Sequence, residues 1–291
     1  MSAGSGVTSE PGRAMIGPVR VAVGQFASTR NKPRNVERAR EAVRSAGAAG
    51  TALVVLPEAT MYPFGRPEDG LLDAAEPVDG PFASALAGVA AETGVTVVAG
   101  MFETVPGEPR VSNTVLAIGP GGPLGHYRKL HLFDALGWRE SDRVRPGDPT
   151  GPDALLTFRL GELTVGVLTC YDLRFPELAR ALVDAGATVL ALPSAWVAGP
   201  LKEYQWRTLA VARAIENTAY LLAADQSPPD FAGHSMVVDP MGVVLAQVGE
   251  VDGLAVAEVS PSRLAEVRRT LPVLEHRRYA VRPVEDRVGV G

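Results

Sequence analysis

The sequence predicts an α/β fold in which two β-sheets share one domain. Three observations carry that expectation. Short β-rich runs alternate with amphipathic helical stretches along the chain, the pattern of α/β layers. Several of those runs, such as Leu53-Val54-Val55-Leu56 and Val189-Leu190-Ala191-Leu192, are apolar at nearly every position, as strands buried on both faces are. The many strands are divided by no low-complexity linker and no 20–50-residue repeat.

Taken in order, strands are expected at 20–26, 52–56, 95–102, 113–118, 125–128, 155–158, 163–169, 188–192, 219–224, 234–238, 243–248 and 254–259. The first helix is expected to be capped by Asn35 and to run to Arg44, with Val36, Ala39, Ala42 and Val43 on one face. A second spans 82–92. Pro176 suits a first helical turn that continues through 177–184 and stops at Gly186. A longer helix at 203–216 carries an apolar stripe of Trp206, Leu209 and Ala210, with Arg213 at its edge, suited to a core or dimer contact. A short helix follows at 262–270. The Pro/Gly-rich stretch 119–125 reads as a loop between strands. Asp239-Pro240-Met241-Gly242 reads as a turn.

Composition narrows the function. Apolar residues make up 46% and charged residues 21% of the 291, which excludes a disordered chain. A net charge of −5 argues against a nucleic-acid partner. No apolar run approaches the roughly 18 residues of a membrane span. Residues 1–17 lack the basic start and apolar stretch of a signal peptide and are expected to be a flexible tail, with a domain at 18–282 and a second tail at 283–291. The single cysteine, Cys170, excludes an intramolecular disulfide and fits a cytoplasmic protein. No HExxH or CxxC spacing points to zinc. The 119–125 stretch lacks the Lys-Ser/Thr of a phosphate loop, and no GxSxG is present, so Ser194 and Ser235 read as structural.

Three chemically distinct residues fall where a buried strand gives way to a loop: Glu58, Lys129 and Cys170. Ligands of α/β sheets bind at the carboxyl ends of strands, so the three can converge on one pocket. Taken singly, each has an ordinary reading, as a loop acid, a solvated cation and a small buried hydrophobe.

Their surroundings add to this. Leu56-Pro57-Glu58-Ala59, the run from Tyr127 through Lys129 to Phe133, and Cys170-Tyr171-Asp172-Leu173-Arg174-Phe175-Pro176-Glu177-Leu178 resemble, in order, the three signature segments of the nitrilase superfamily, the carbon–nitrogen hydrolases. Glu140, before Pro146-Gly147-Asp148, looks like that family's second glutamate. Arg213-Ala214-Ile215-Glu216-Asn217 and the segment from Gly233 to Pro240 also resemble family segments. Within the superfamily, Ser194-Ala195-Trp196, the Gly233 segment and the stretch from Leu271 to Arg278 look closest to the deaminated-glutathione amidase and ω-amidase group.

The resemblance implies a four-layer α-β-β-α sandwich and a homodimer or higher homo-oligomer. It also implies catalysis by Glu58, Lys129 and Cys170 with Glu140 assisting, and no metal or cofactor. The chemistry suits these groups. A thiol near pKa 8.5 needs activation at neutral pH, which Glu58 supplies as base and a nearby helix start favours by stabilising thiolate. Lys129 stays protonated beside two carboxylates and stabilises the oxyanion, with the Tyr171 backbone N–H as second donor. Ala195 corresponds by resemblance to a backbone position beside the substrate amide. Tyr62 and Trp196 follow strand ends and are candidates for the pocket wall, and Arg174 for meeting an acidic substrate. The leading reading is an amidase acting on a small aliphatic or ω-amide, such as a dicarboxylate monoamide. Alternatives are a nitrilase or N-carbamoyl hydrolase on the same fold, a Cys–His hydrolase using His131, and an inactive binding protein.

Overall fold

In the computed structural model, which describes residues 17–65, 70–152 and 154–284, the apolar runs pair side by side into two sheets. The first contains β1 (Val19–Gln25), β2 (Leu53–Val55), β3 (Thr96–Glu103), β4 (Val111–Gly119) and β5 (Gly122–Arg128). A small hairpin, β6 (Asp134–Ala135) and β7 (Trp138–Arg139), precedes β8 (Val144–Arg145), which pairs with β4. The second sheet contains β9 (Leu156–Leu160), β10 (Leu163–Val167), β11 (Val189–Pro193), β12 (Tyr220–Ala224), β13 (Met236–Val238) and β14 (Val244–Gln247). The chain then returns to the first sheet, where β15 (Gly253–Val259) lies antiparallel to β1. The spatial orders are β15-β1-β2-β3-β4-β5 and β14-β13-β12-β11-β10-β9.

Side-chain alternation builds the layers. Val21, Val23, Leu53, Val55 and Val98 face the second sheet and share a core with Val165, Val189 and Leu221. Their neighbours Ala22, Val54, Val97 and Ala99 point the other way and meet Ala39, Val43, Leu86 and Val89. Those four belong to α1 (Lys32–Ala48) and α3 (Pro81–Thr93), which follows the single-turn α2 (Leu71–Ala74). On the far side, α4 (Pro176–Asp184) and α5 (Lys202–Asn217) cover the second sheet, and α6 (Pro261–Thr270) follows β15. The order of layers is therefore α-β-β-α in one domain, as the family resemblance implied.

Each of the twelve expected strands is present, within three residues at its ends. Two expectations need correction. Asn31, not Asn35, caps α1: its side chain accepts from the Arg34 N–H at 3.0 Å, and a proline stands in the first turn. Asn35 is instead buried in that turn and donates to the Met61 carbonyl at 3.0 Å. The 119–125 stretch is mostly strand, because β5 begins at Gly122 and leaves a two-residue turn. The Asp239–Gly242 turn closes as expected, with Gly242 N–H on the Asp239 carbonyl at 2.9 Å. The expected tails fall outside the described residues except at 17, 283 and 284. No helix among the described residues is long and apolar enough to cross a membrane.

Candidate active site

The three strand-end residues meet. Beyond β2, Glu58 passes against β3 at Gly100, where a Cβ would stand 2.6 Å from the Ala59 nitrogen and 2.7 Å from the Glu58 Cα. Only glycine lets the two backbones approach this closely. Gly100→Ala is therefore expected to push Glu58 out of register, with a stability loss of about 1–3 kcal/mol and a larger fractional loss of activity; paired urea-unfolding and activity measurements check it. Lys129 leaves β5 with its N–H on the Asn113 carbonyl and its own carbonyl accepting from Gly147, both at 2.9 Å. Cys170 opens a 3₁₀ turn after β10 at φ +46°, a left-handed conformation that costs a non-glycine residue roughly 1–3 kcal/mol.

The turn is held by a capping box. Asp172 accepts from the Thr169 N–H at 2.9 Å, and the Thr169 side chain accepts from the Asp172 backbone. The same carboxylate takes the Tyr127 hydroxyl at 2.7 Å and lies 2.7 Å from His131 Nδ1. Tyr127 and His131 flank Lys129, so one buried acid ties the lysine segment to the cysteine turn.

The Lys129 ammonium lies 2.9 Å from Glu58 Oε1 and 2.9 Å from Glu140 Oε2. Asn113 Nδ2 bridges the same two carboxylates, donating to Glu58 Oε1 at 2.7 Å and Glu140 Oε1 at 3.0 Å. Glu58 Oε2 accepts from the Ala195 N–H at 2.9 Å, and Glu140 Oε2 from the Phe133 N–H at 2.7 Å. All three charged groups are 2% exposed or less, so this network stands in for water.

Burial works against the Lys129 ammonium, but Glu140 and then Glu58 outweigh it and hold the group well above the usual lysine range. Burial pushes the Cys170 thiol well above its ordinary pKa. The Glu58 charge and a hydrogen bond to Glu58 add to this, against the pull of Lys129. Enclosure and the facing carboxylate thus work against the thiolate that the helix start was expected to favour, and they set the direction of the shift. Alkylation of Cys170 by a small neutral reagent should keep accelerating as pH rises through 9. A plateau below pH 8 would mean a preformed thiolate.

Cys170, Glu58, Lys129 and Glu140 line one cavity of about 640 Å³. Tyr171, Ala195 and Trp196 line it too. Tyr62 and Arg174 do not: Tyr62 is buried in the core beneath the first sheet's helices, and Arg174 lies over the Trp196 ring with Nη2 on Gln205 at 2.7 Å. His131 is also absent from the lining, its ring stacked on Phe175, which leaves the Cys–His arrangement without geometry. Two participants went unpredicted. Asn113 was legible as a polar residue inside an apolar strand. Lys202 gave no signal, being one more cation at a helix start.

The carbon-nitrogen hydrolase family model matches residues 20–269. The chain belongs to the carbon-nitrogen hydrolase family. Among individual hydrolases of this kind, it is 39% identical over 261 residues to the deaminated glutathione amidase of Escherichia coli O157:H7, covering 89% of this chain and 97% of that one. Its fold is similar to that of the C. elegans NitFhit protein, with a TM-score of 0.83 and 31% identity over 95% of this chain and 69% of the other. Saccharomyces cerevisiae Nit3, a member of branch 10 of the nitrilase superfamily, aligns with a TM-score of 0.79 and 27% identity over 93% and 100% of the two chains. This carbon-nitrogen hydrolase thus pairs a family-typical sequence with a buried Glu–Lys–Cys constellation.

Proposed function

We propose that this hydrolase is an amidase that cleaves a small aliphatic or ω-amide through a thioester on Cys170. The observation that carries the reading is the convergence of Glu58, Lys129, Cys170 and Glu140 on one cavity. Glu58 takes the thiol proton as the sulfur attacks the amide carbonyl carbon. The oxyanion so formed is met by the Lys129 ammonium and the Tyr171 N–H. Glu58 returns the proton to the nitrogen, the C–N bond breaks and ammonia leaves. Glu58 then takes a proton from water, whose oxygen attacks the thioester. Expulsion of the sulfur, which regains the proton, frees the carboxylic acid. Glu140 keeps Lys129 charged and placed, and Ala195 fixes the second oxygen of Glu58.

The relatives named deaminated glutathione amidase favour an amide that carries carboxylates, such as a dicarboxylate monoamide or deaminated glutathione. Action in the cytoplasm as a homodimer or higher homo-oligomer, with no nucleic-acid or membrane partner, completes the proposal. Incubation with matched amides, nitriles and N-carbamoyl compounds, with ammonia and organic product measured, tests it. Amide turnover with an acyl adduct on Cys170 by mass spectrometry is the expected result. Nitrile consumption without amide turnover, or no turnover and no adduct across the panel, would overturn it.

A further inference from the structure

Glu58, Glu140 and Lys129 satisfy one another, but the same cavity holds a second buried cation outside that network. Lys202, at the first turn of α5, is 7% exposed and lines the cavity. Among the described residues no carboxylate lies within ion-pair distance of its ammonium. Its neighbours are ring faces: Nζ stands 4.7 Å from the Trp196 ring centre and 5.2 Å from that of Phe133. The Lys202 carbonyl accepts from Trp196 Nε1 at 3.0 Å, which fixes one of those rings. Arg174 lies over the Trp196 ring as well, at 4.7 Å, and adds positive potential from behind the wall. Asp230, also in the lining, is exposed and forms no ion pair with Lys202.

A buried charge is costly unless paired, and ring faces offset only part of that cost. The ammonium's pKa is lowered by burial and by Arg174, while Cys170 and Asp225 act the other way, so Lys202 lies within electrostatic reach of the nucleophile.

We infer that Lys202 anchors a carboxylate of the substrate, set away from the scissile amide, and selects anionic ω-amides over neutral ones. This rests on the amidase reading of the same cavity. It assigns specificity to a residue outside the Glu–Lys–Cys set, and it places the carboxylate end of the substrate against Trp196 and Phe133.

The test compares the full chain with Lys202→Met and Lys202→Arg on two substrates of equal chain length: the monoamide of a five-carbon dicarboxylic acid and the neutral five-carbon amide. The wild-type protein should favour the anionic amide in kcat/KM. Lys202→Met should cut that preference by about 30-fold, mainly through KM, because one partner of a buried charge pair is lost. Lys202→Arg, which keeps the charge, should recover most of it. A preference unchanged within threefold in Lys202→Met would overturn the assignment. Binding of the five-carbon dicarboxylate to Cys170→Ala and to Cys170→Ala/Lys202→Met, measured by calorimetry, decides the same point without turnover. About 30-fold weaker binding in the double variant supports the anchor, and equal binding refutes it. If wild-type protein hydrolyses neither amide, the amidase reading fails while the binding comparison still judges Lys202.

Discussion

Lys129→Met is expected to lower the rate of ammonia release by at least about 10²–10³-fold and to destabilise the fold by about 3–5 kcal/mol. The two effects have one cause. The ammonium is the counter-charge of two buried carboxylates and, in the proposed cycle, the principal donor to the oxyanion. Methionine fills the same volume, so cavity formation contributes little. Asn113 remains, and its single amide nitrogen is left between Glu58 and Glu140. The pH dependence follows from the direction of the Lys129 shift. A lysine whose folded pKa is raised contributes stability that is fully present below its unfolded value near 10.4 and is lost as pH rises through the higher folded value. Urea-unfolding midpoints should therefore show the same gap between variant and wild type at pH 7 and pH 9, and a shrinking gap only in stronger alkali.

Glu58→Gln is expected to slow turnover by about 10²–10⁴-fold, because glutamine can neither accept the thiol proton nor return it to the leaving nitrogen. The change is also awkward structurally. Glu58 Oε1 accepts from Asn113 and Lys129, and Oε2 accepts from the Ala195 N–H. A glutamine must aim its NH₂ group at one of these donors, at a cost of about 1–3 kcal/mol for the contact it spoils. Removing the carboxylate charge also takes away one of the groups that hold the Cys170 thiol up. The variant should thus alkylate at lower pH than wild type while turning over far more slowly. Alkylation profiles and steady-state rates measured side by side check the split.

Much of this was legible in the residues. Continuous apolar runs such as those of β2 and β11 announced strands buried on both faces, and the layers follow from their alternation. Glu58, Lys129 and Cys170 were found because each follows a strand, buried for β2 and β10 but largely half-exposed for β5, and the surrounding segments tied them to one family. What stayed hidden was short or long-range. The strands β6, β7 and β8 are two residues each, too brief for any period to show. Asn31 and Asn35 both stand at the start of α1, and only the tertiary contact to Met61 decides which one caps. Tyr62 and Arg174 sit near the cavity in sequence terms, but packing turns them elsewhere. Among the described residues Lys202 has no carboxylate within ion-pair distance, a feature that depends on neighbours from separate parts of the chain.

The measurement that bears most directly on the account is ammonia release by Cys170→Ala on an amide the wild-type protein hydrolyses. Sulfur supplies the attacking atom in every step proposed, so the variant should fall below about a thousandth of wild-type turnover, given the losses that follow removal of a nucleophile. A variant that folds and still releases ammonia within tenfold of the wild-type rate would contradict it.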